Sequence, residues 1–289
     1  GVSSASGALY EVGAGKPYTT IQAAVTQAAA DTDVGASGNN TPNGDPVEIR
    51  IHAGTYPELV GVPADPSGAF NGLNDGWLIH ANPGDKVVVN GFSVGTDRDH
   101  CTFQGLNVDM SSHASSGFYF GTTARSNWIK DTVIYGAGGG AAVGGGSLYG
   151  WNKMDHVTIY GTNYGVSLGY ASSLVAENTI IANTVNAATS SSDKSWYAYS
   201  DIWGTVSNAG DNGNNLNWDL GLDPLFASTN PADADFLWLS AVSPASGVGS
   251  SVGLRTDGWQ NMGALPTVPE PATLSLLLVG MGLMMRRRR

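Results

Sequence analysis

The sequence predicts an all-β solenoid of the parallel β-helix type. Glycine is abundant, with 40 residues spread along the 289-residue chain, and only 13% of the residues are charged. Because glycine tolerates the positive φ angles of tight turns, this composition favours many short strands joined by turns. A small apolar unit also recurs at intervals of 21 to 26 residues, and only one segment has a clear helical pattern.

The recurring unit begins after Cys101 and consists of an apolar residue, a second position three residues later and a third two residues after that. The predicted units are Phe103, Leu106 and Val108; Ile129, Thr132 and Ile134; Met154, Val157 and Ile159; Val175, Asn178 and Ile180; and, less regularly, Tyr199, Ile202 and Gly204. One unit cannot bury its own apolar face, so stacked coils with strands about 4.8 Å apart are predicted. A β-sandwich is the alternative that the spacing leaves open.

A short helix near the N-terminus is predicted to cap the first coil. Thr19 and Gln22 have the spacing of a capping box, which marks the start of a helix. The apolar residues that follow share one helical face: Ile21, Ala24, Val25 and Ala28. A helix placed here would cover the exposed sheet edge that the end of a β-helix leaves open.

The C-terminal segment, residues 266–289, is predicted to be separate from the domain formed by residues 1–265. It contains Pro269, Glu270 and Pro271, then 14 apolar residues, then four arginines that include Arg286 and Arg287. The apolar run is shorter than the roughly 20 residues of a normal membrane-spanning helix, and arginines remain on the cytoplasmic side. The rest of the chain is therefore predicted to be exported.

This arrangement resembles the PEP-CTERM sorting signal. The resemblance implies a Gram-negative-type bacterium, transient membrane insertion of the segment and processing by an exosortase-type membrane enzyme. It also implies secretion or display at the cell surface. An ordinary tail anchor is the alternative.

Two further segments resemble the pectin-lyase-like superfamily of right-handed parallel β-helix proteins. One is the opening segment, residues 12–25 followed by residues 49–58. The other is the closing segment, which includes residues 223–226, 236–239, 243–245 and 262–264. The resemblance implies a single-stranded right-handed parallel β-helix across most of residues 12–265, and it specifies the fold but no single activity. Members include lyases, glycosidases and esterases.

The charge of the chain limits its partners. The formal net charge is -11, and it becomes -15 when the four C-terminal arginines are subtracted. An acidic body repels nucleic acid, so no nucleic-acid partner is expected. An acidic polysaccharide would need either bridging calcium or a local basic groove.

The body contains few basic residues that could serve a polysaccharide lyase. Such an enzyme needs a base to remove the proton beside a uronate carboxylate and a cation to stabilise the developing charge. Arg98, Arg125 and Lys130 are the catalytic candidates, because coil stacking would bring them to one side. Salt bridges on a solvated face are the alternative interpretation.

Further residues are candidates for binding. Asp99, His100, Asp155 and Trp151 are predicted to contact substrate, and Lys130 is expected close to Asp155. Asp211 and Asp219 offer oxygen ligands to calcium, the only cofactor expected, although a plain turn is the alternative. Asp131, Asp155 and Glu177 are predicted to occupy equivalent turn positions in successive coils, so neighbouring pairs could suit glycoside hydrolysis or could satisfy backbone donors at turns.

Together these patterns favour a secreted, surface-sorted β-helix protein that engages extracellular polysaccharide along an outward groove. If it is catalytic, β-elimination by a polysaccharide lyase is the expected reaction. The alternative is a non-catalytic structural or adhesive protein of the extracellular matrix or biofilm.

Overall fold

The structure is a computed structural model that describes residues 8–32, 47–64, 76–146, 152–169, 173–190, 195–203, 205–207, 210–211, 213, 215–216, 223–248 and 263–264. Within these ranges lie one helix and nineteen strands. They are β1 (Leu9–Val12), α1 (Ile21–Thr32), β2 (Val47–Ile51), β3 (Gly54–Val62), β4 (Trp77–Ala81), β5 (Val87–Val94), β6 (Thr102–Gln104), β7 (Asn107–Asp109), β8 (Phe118–Phe120), β9 (Trp128–Tyr135), β10 (Ala141–Gly145), β11 (Asn152–Tyr160), β12 (Tyr164–Leu168), β13 (Leu174–Glu177), β14 (Ile180–Ala182), β15 (Asn186–Ser190), β16 (Ser195–Ala198), β17 (Asp201–Ile202), β18 (Thr205–Ser207) and β19 (Gly210–Asp211).

Equivalent strands of successive coils pair in parallel and form three faces. Face A consists of β1, β2, β4, β6, the first parts of β9 and β11, β13, β16 and β19. Face B consists of the first parts of β3 and β5, β7, the second parts of β9 and β11, β14 and β17. Face C consists of the second parts of β3 and β5, β8, β10, β12, β15 and β18. This repeated parallel pairing confirms the predicted β-helix and excludes the sandwich.

The core is a set of stacked side chains inside the three faces. On face A, successive register partners point inward and are at most 1% exposed: Ile49, Ile79, Phe103, Ile129, Met154, Ala176 and Tyr197. Phe103 also packs between faces, with ring centroids 4.9 Å from Phe92 and 5.2 Å from Phe118. Burial of these columns is the main stabilising term, because each coil alone leaves its apolar side open.

The predicted repeat is correct for three units and wrong for the two that follow. Phe103, Ile129 and Met154 are stacked as expected, but the next inward residue is Ala176, and Val175 points outward beside Lys153. In strands a shift of one residue moves a side chain to the opposite face. In the last unit Tyr197 is the inward residue, and the predicted Tyr199 lies at the following corner.

The corner between faces A and B is a column of residues with left-handed backbone. Gly105, Asp131, His156, Asn178 and Tyr199 occupy it in successive coils, with φ between 48° and 72°. Asp131 is therefore stacked with His156 and Asn178. The prediction that Asp131, Asp155 and Glu177 are equivalent is wrong for Asp131, because the latter two lie on the preceding strand positions.

Helix α1 covers the N-terminal end of the coils, as predicted. All four residues of its predicted apolar face are fully buried. The predicted capping box does not form, because the helix begins at Ile21 and the Thr20 hydroxyl accepts a hydrogen bond from the Ala23 amide. The Glu58 carboxylate of β3 accepts hydrogen bonds from the amides of Ile21 and Gln22, each at 2.9 Å, and so links the helix start to β3.

Residues 223–248, termed the strap, cover the outside of face B. Within the strap, the Ala227 amide donates to the Trp238 carbonyl and the Ser240 amide donates to the Leu225 carbonyl. Its apolar side chains pack on outward residues of face B: Val133, Tyr135, Tyr160, Ile180 and Ala182. Burial raises the pKa of Tyr135 to about 12. The strap thus covers these outward residues of face B.

Candidate functional site

The outer surface of face A carries two columns of side chains that run along the axis of the coils. One column contains Leu78, Thr102, Trp128, Lys153, Val175 and Trp196. The other contains His80, Gln104, Lys130, Asp155 and Glu177. A polymer that lies along the axis would therefore meet new side chains at each coil, about every 4.8 Å.

Two lysines meet at one tryptophan in the middle of this surface. The Lys130 ammonium lies 4.3 Å from the centroid of the Trp128 ring, and the Lys153 ammonium lies 5.7 Å from it. Lys153 is the register neighbour of Trp128, and Lys130 lies two residues further along the same strand. Attraction between a cation and an aromatic ring, about 0.5–1 kcal/mol at an exposed site, favours this arrangement. The three residues are termed the Trp128 cluster.

The Trp128 cluster brings two cations together in an acidic protein. Among the residues that the structure describes, neither lysine forms an ion pair with a carboxylate. Other basic side chains are differently placed, since Lys16 pairs with Glu11 at 2.9 Å and Arg50 pairs with Glu48 at 2.5 Å. The two lysines of the cluster can therefore direct their charge toward a ligand.

The structure places Arg98 away from this surface. Its side chain is buried, and its guanidinium lies 5.0 Å from the centroid of the Trp77 ring. It donates hydrogen bonds to the carbonyls of Pro63 at 2.9 Å and Ala64 at 3.3 Å. These hydrogen bonds connect the segment before face A to residues 63–64. Because the guanidinium is buried, it has little access to a ligand outside the coils.

Asp99, His100 and Arg125 are adjacent at the corner that precedes face A. The Arg125 amide donates to the Asp99 carboxylate at 2.6 Å, and the His100 amide donates to the Arg125 carbonyl at 3.0 Å. Burial raises the pKa of Asp99 above its ordinary value, although the Arg125 amide opposes this shift. The Asp99 carboxylate thus stabilises the turn by accepting a backbone hydrogen bond. Backbone contacts between successive coils bring Asp99, His100 and Arg125 together, as coil stacking predicts.

Asp155 is the register neighbour of Lys130, but it does not form an ion pair with it. Its carboxylate accepts a hydrogen bond from the Asn178 side chain at 3.0 Å and lies 2.8 Å from Nδ1 of His156. The Asp155 side chain is only 6% exposed. The Asp155 carboxylate points toward the corner column and stabilises the corner through Asn178 and His156. Lys130 contacts the Trp128 ring instead.

Sequence reasoning missed Trp128 and Lys153. The predicted Lys130 and Asp155 immediately follow the inward residues Ile129 and Met154, whereas Trp128 and Lys153 immediately precede them. Both neighbours of an inward residue point outward in a strand. Their 25-residue separation, which matches the spacing from Ile129 to Met154, was the signal that could have found them.

Of the remaining predicted residues, some lie within the ranges that the structure describes and others lie outside them. The Asp211 carboxylate accepts hydrogen bonds from the Gly213 amide at 2.8 Å and the Asn215 side chain at 2.7 Å, as in an ordinary turn. In the described part of the chain, no group of three or more His, Cys, Asp or Glu side chains is arranged to hold a metal ion. Trp151, Asp219, Pro269, Glu270, Pro271, Arg286 and Arg287 lie outside the described residues.

No helix within the described ranges is both long enough and apolar enough to cross a membrane. The apolar run that was predicted to insert into the membrane belongs to residues 265–289, which lie outside those ranges.

Comparisons with known proteins identify the C-terminal segment. Residues 267–289 match the PEP-CTERM protein-sorting motif. No curated protein matches the chain. Among solved structures, the crystal structure of pectate lyase Pel9A is similar with 12% sequence identity and a TM-score of 0.35, over 91% of this chain and 97% of that chain. A score this low carries no argument about activity. The sorting motif indicates export to the cell surface or the extracellular space, and it implies processing by an exosortase.

Proposed function

We propose that this protein binds acidic extracellular polysaccharide at the cell surface through the Trp128 cluster of face A. The observation that carries the proposal is the meeting of two lysine ammoniums at one outward tryptophan. Uronate carboxylates would pair with Lys130 and Lys153, while the apolar face of a sugar ring would pack on the indole. The export signal supports the proposal, because an exported protein can meet extracellular polymers.

Because the body is acidic, binding of an acidic polymer depends on the positive charges of Lys130 and Lys153. At a net charge of -15 without the C-terminal arginines, the protein repels a polyanion at long range. Screening at physiological ionic strength limits that repulsion to about 8 Å. Contacts with the two lysines operate within this distance, so an acidic polymer can bind at the cluster despite the charge of the whole body. Calcium would add a bridge between the polymer and carboxylates elsewhere on the body.

Lyase activity extends the proposal to catalysis. A neutral lysine amine would remove the proton beside the uronate carboxylate, the bond to the leaving sugar oxygen would break, and that oxygen would take up a proton. The second lysine would stabilise the negative charge that develops on the carboxylate. Lys130 and Lys153 are the residues whose positions suit these two roles, and Arg125, from the preceding corner, is a further cationic candidate.

A non-catalytic adhesive role is the second proposal. The Asp155 carboxylate, the nearest register neighbour of Lys130, is engaged by Asn178 and His156. Because its contacts occupy the Asp155 carboxylate, it is not positioned as an acid or base for a polymer at Lys130. This arrangement favours binding of the polymer without cleavage. The protein would then contribute to the extracellular matrix or biofilm by cross-linking its polymers.

Titration of the full chain with alginate and oligogalacturonate in a detergent without sugar groups tests the binding. The double variant Lys130→Ala/Lys153→Ala is expected to bind about tenfold more weakly or worse, which corresponds to about 1.4 kcal/mol. Lys86→Ala is the matched control, because Lys86 donates to the Pro231 carbonyl of the strap, away from face A. Equal affinity of the double variant and the wild type would contradict the proposal.

Product analysis with the same polymers separates the two roles. Growth of an unsaturated-uronate absorbance, with and without calcium, supports the lyase and should disappear in the double variant. Binding without any product supports the adhesive role.

A further inference from the structure

The outside of face B carries an aromatic column that the strap covers incompletely. Tyr135 and Tyr160 are register neighbours, Ala182 follows Tyr160, and Trp203 follows Ala182 in the next coil. Strap phenyl rings cover the two tyrosines edge-on, with Phe236 at 4.9 Å from Tyr135 and Phe226 at 5.7 Å from Tyr160.

Trp203 is different, because 40% of its surface is exposed. The small residue Ala182 separates it from Tyr160, so two coil spacings, about 10 Å, lie between the two aromatic positions. A cavity of about 430 Å³ opens there between face B and the strap. Its volume falls within the range of small-molecule sites, which is about 300–1,000 Å³.

The cavity combines aromatic and polar groups. Trp203, Tyr160 and Phe226 line it, together with the polar side chains of Asn183, Asp223 and Ser240. The Ser240 hydroxyl is buried and has no hydrogen-bond partner among the described residues. A buried polar group without a partner costs free energy, so a ligand hydroxyl at this position would satisfy it.

We propose that this cavity is a second carbohydrate site, which takes a neutral hexose unit of a polysaccharide. The indole of Trp203 offers a stacking surface for the apolar face of a sugar ring, and the amide, carboxylate and hydroxyl groups offer partners for sugar hydroxyls. None of the described lining residues is Lys, Arg or His. The Asp223 carboxylate would repel a uronate, so the site selects neutral over acidic sugars.

This site is independent of the Trp128 cluster. It lies on face B beside the strap, whereas the cluster lies on the open surface of face A. A protein with both sites would hold an acidic and a neutral glycan together.

Isothermal titration of the full chain with cellohexaose, laminarihexaose and maltohexaose, in a detergent without sugar groups, tests the proposal. At least one of these neutral probes is expected to bind, and Trp203→Ala should weaken its affinity about tenfold or more. Trp203→Phe should retain part of the affinity. Asn183→Gly should weaken binding without backbone strain, because Asn183 has a φ of 52° that glycine tolerates.

Tyr119→Ala is the matched control, since Tyr119 is an aromatic residue of face C that is 45% exposed. Thermal unfolding of each variant checks that the fold is intact. Absence of binding by all three hexaoses, or unchanged affinity in a folded Trp203→Ala variant, would overturn the proposal. Binding of alginate should be unaffected by Trp203→Ala, so the proposals for the Trp128 cluster and for the cavity are tested separately.

Discussion

Face A and face B are built from the same coils, yet one is open and the other is covered. Their inner sides are alike, with apolar columns such as Ile129 and Met154 on face A and Ile134 and Ile159 on face B. Their outer sides differ, because Lys130 is directed outward on face A while Tyr135 of the same strand lies beneath the strap on face B. One strand thus contributes to an open surface and to an internal interface, and the corner at its middle separates the two.

The largest expected effect comes from uncovering face B. Phe236→Ala removes a strap side chain that is only 6% exposed and contacts Tyr135 edge-on. We expect the free energy of unfolding to fall by about 3 kcal/mol, as for other large-to-small changes in a core. Urea unfolding measures this, and limited proteolysis should cut the variant within the strap.

Trp128→Ala on face A provides the comparison for this experiment. Trp128 is half-buried on the uncovered face, so its removal should lower the free energy of unfolding by only about 1 kcal/mol. A loss as large as that of Phe236→Ala would contradict the distinction between an open and a covered face.

The corner between the faces gives the next effect. His156 has a φ of 51° and is buried, and Asn178 occupies the equivalent position in the next coil. His156→Asn should therefore be tolerated, whereas His156→Val should be less stable than His156→Asn by about 1–2 kcal/mol, because a β-branched residue is strained in this conformation. Thermal unfolding of the two variants measures the difference. Equal stability would show that the left-handed corner does not constrain the residue.

The smallest effect concerns the ion pairs of face A. Burial opposes ionisation of Glu48, but hydrogen bonds from His80 and Arg50 hold the pKa of its carboxyl below the ordinary value of 4.5. A lowered folded-state pKa contributes stability that is present above the ordinary value and is lost as the pH falls through the folded value. Glu48→Gln should therefore flatten the dependence of stability on pH below about pH 4.5. Urea midpoints from neutral to acidic pH test this, and identical profiles for variant and wild type would contradict it.

The fold could be predicted from the sequence, but the strand register could not be predicted for every coil. Phe103, Ile129 and Met154 could be aligned because each is a large apolar residue at nearly constant spacing. The next coil is shorter, with 22 residues from Met154 to its partner Ala176. Alanine is a weaker apolar signal than the adjacent Val175, so the pattern selected the wrong neighbour.

The candidate site was harder to predict than the core, because outward residues have no common chemical type. The position of Lys130 followed from its inward neighbour Ile129, but its contact with Trp128 depends on side-chain directions. The burial of Arg98 against Trp77 depends on a contact between coils that no local pattern shows. The cover of face B by Phe226 and Phe236 is likewise a long-range contact.

Gly263 and Ala264, which precede the sorting motif, are hydrogen-bonded to the coils. The Gly263 amide donates to the Asn178 carbonyl at 2.6 Å, and the Ala264 amide donates to the Thr158 hydroxyl at 2.9 Å. Five peptide links separate Ala264 from Pro269, a reach of at most about 18 Å. Ala264 thus lies on the flank of the coils, several coils away from helix α1. Processing of the sorting motif beyond Ala264 would therefore leave both hydrogen bonds to the coils in place.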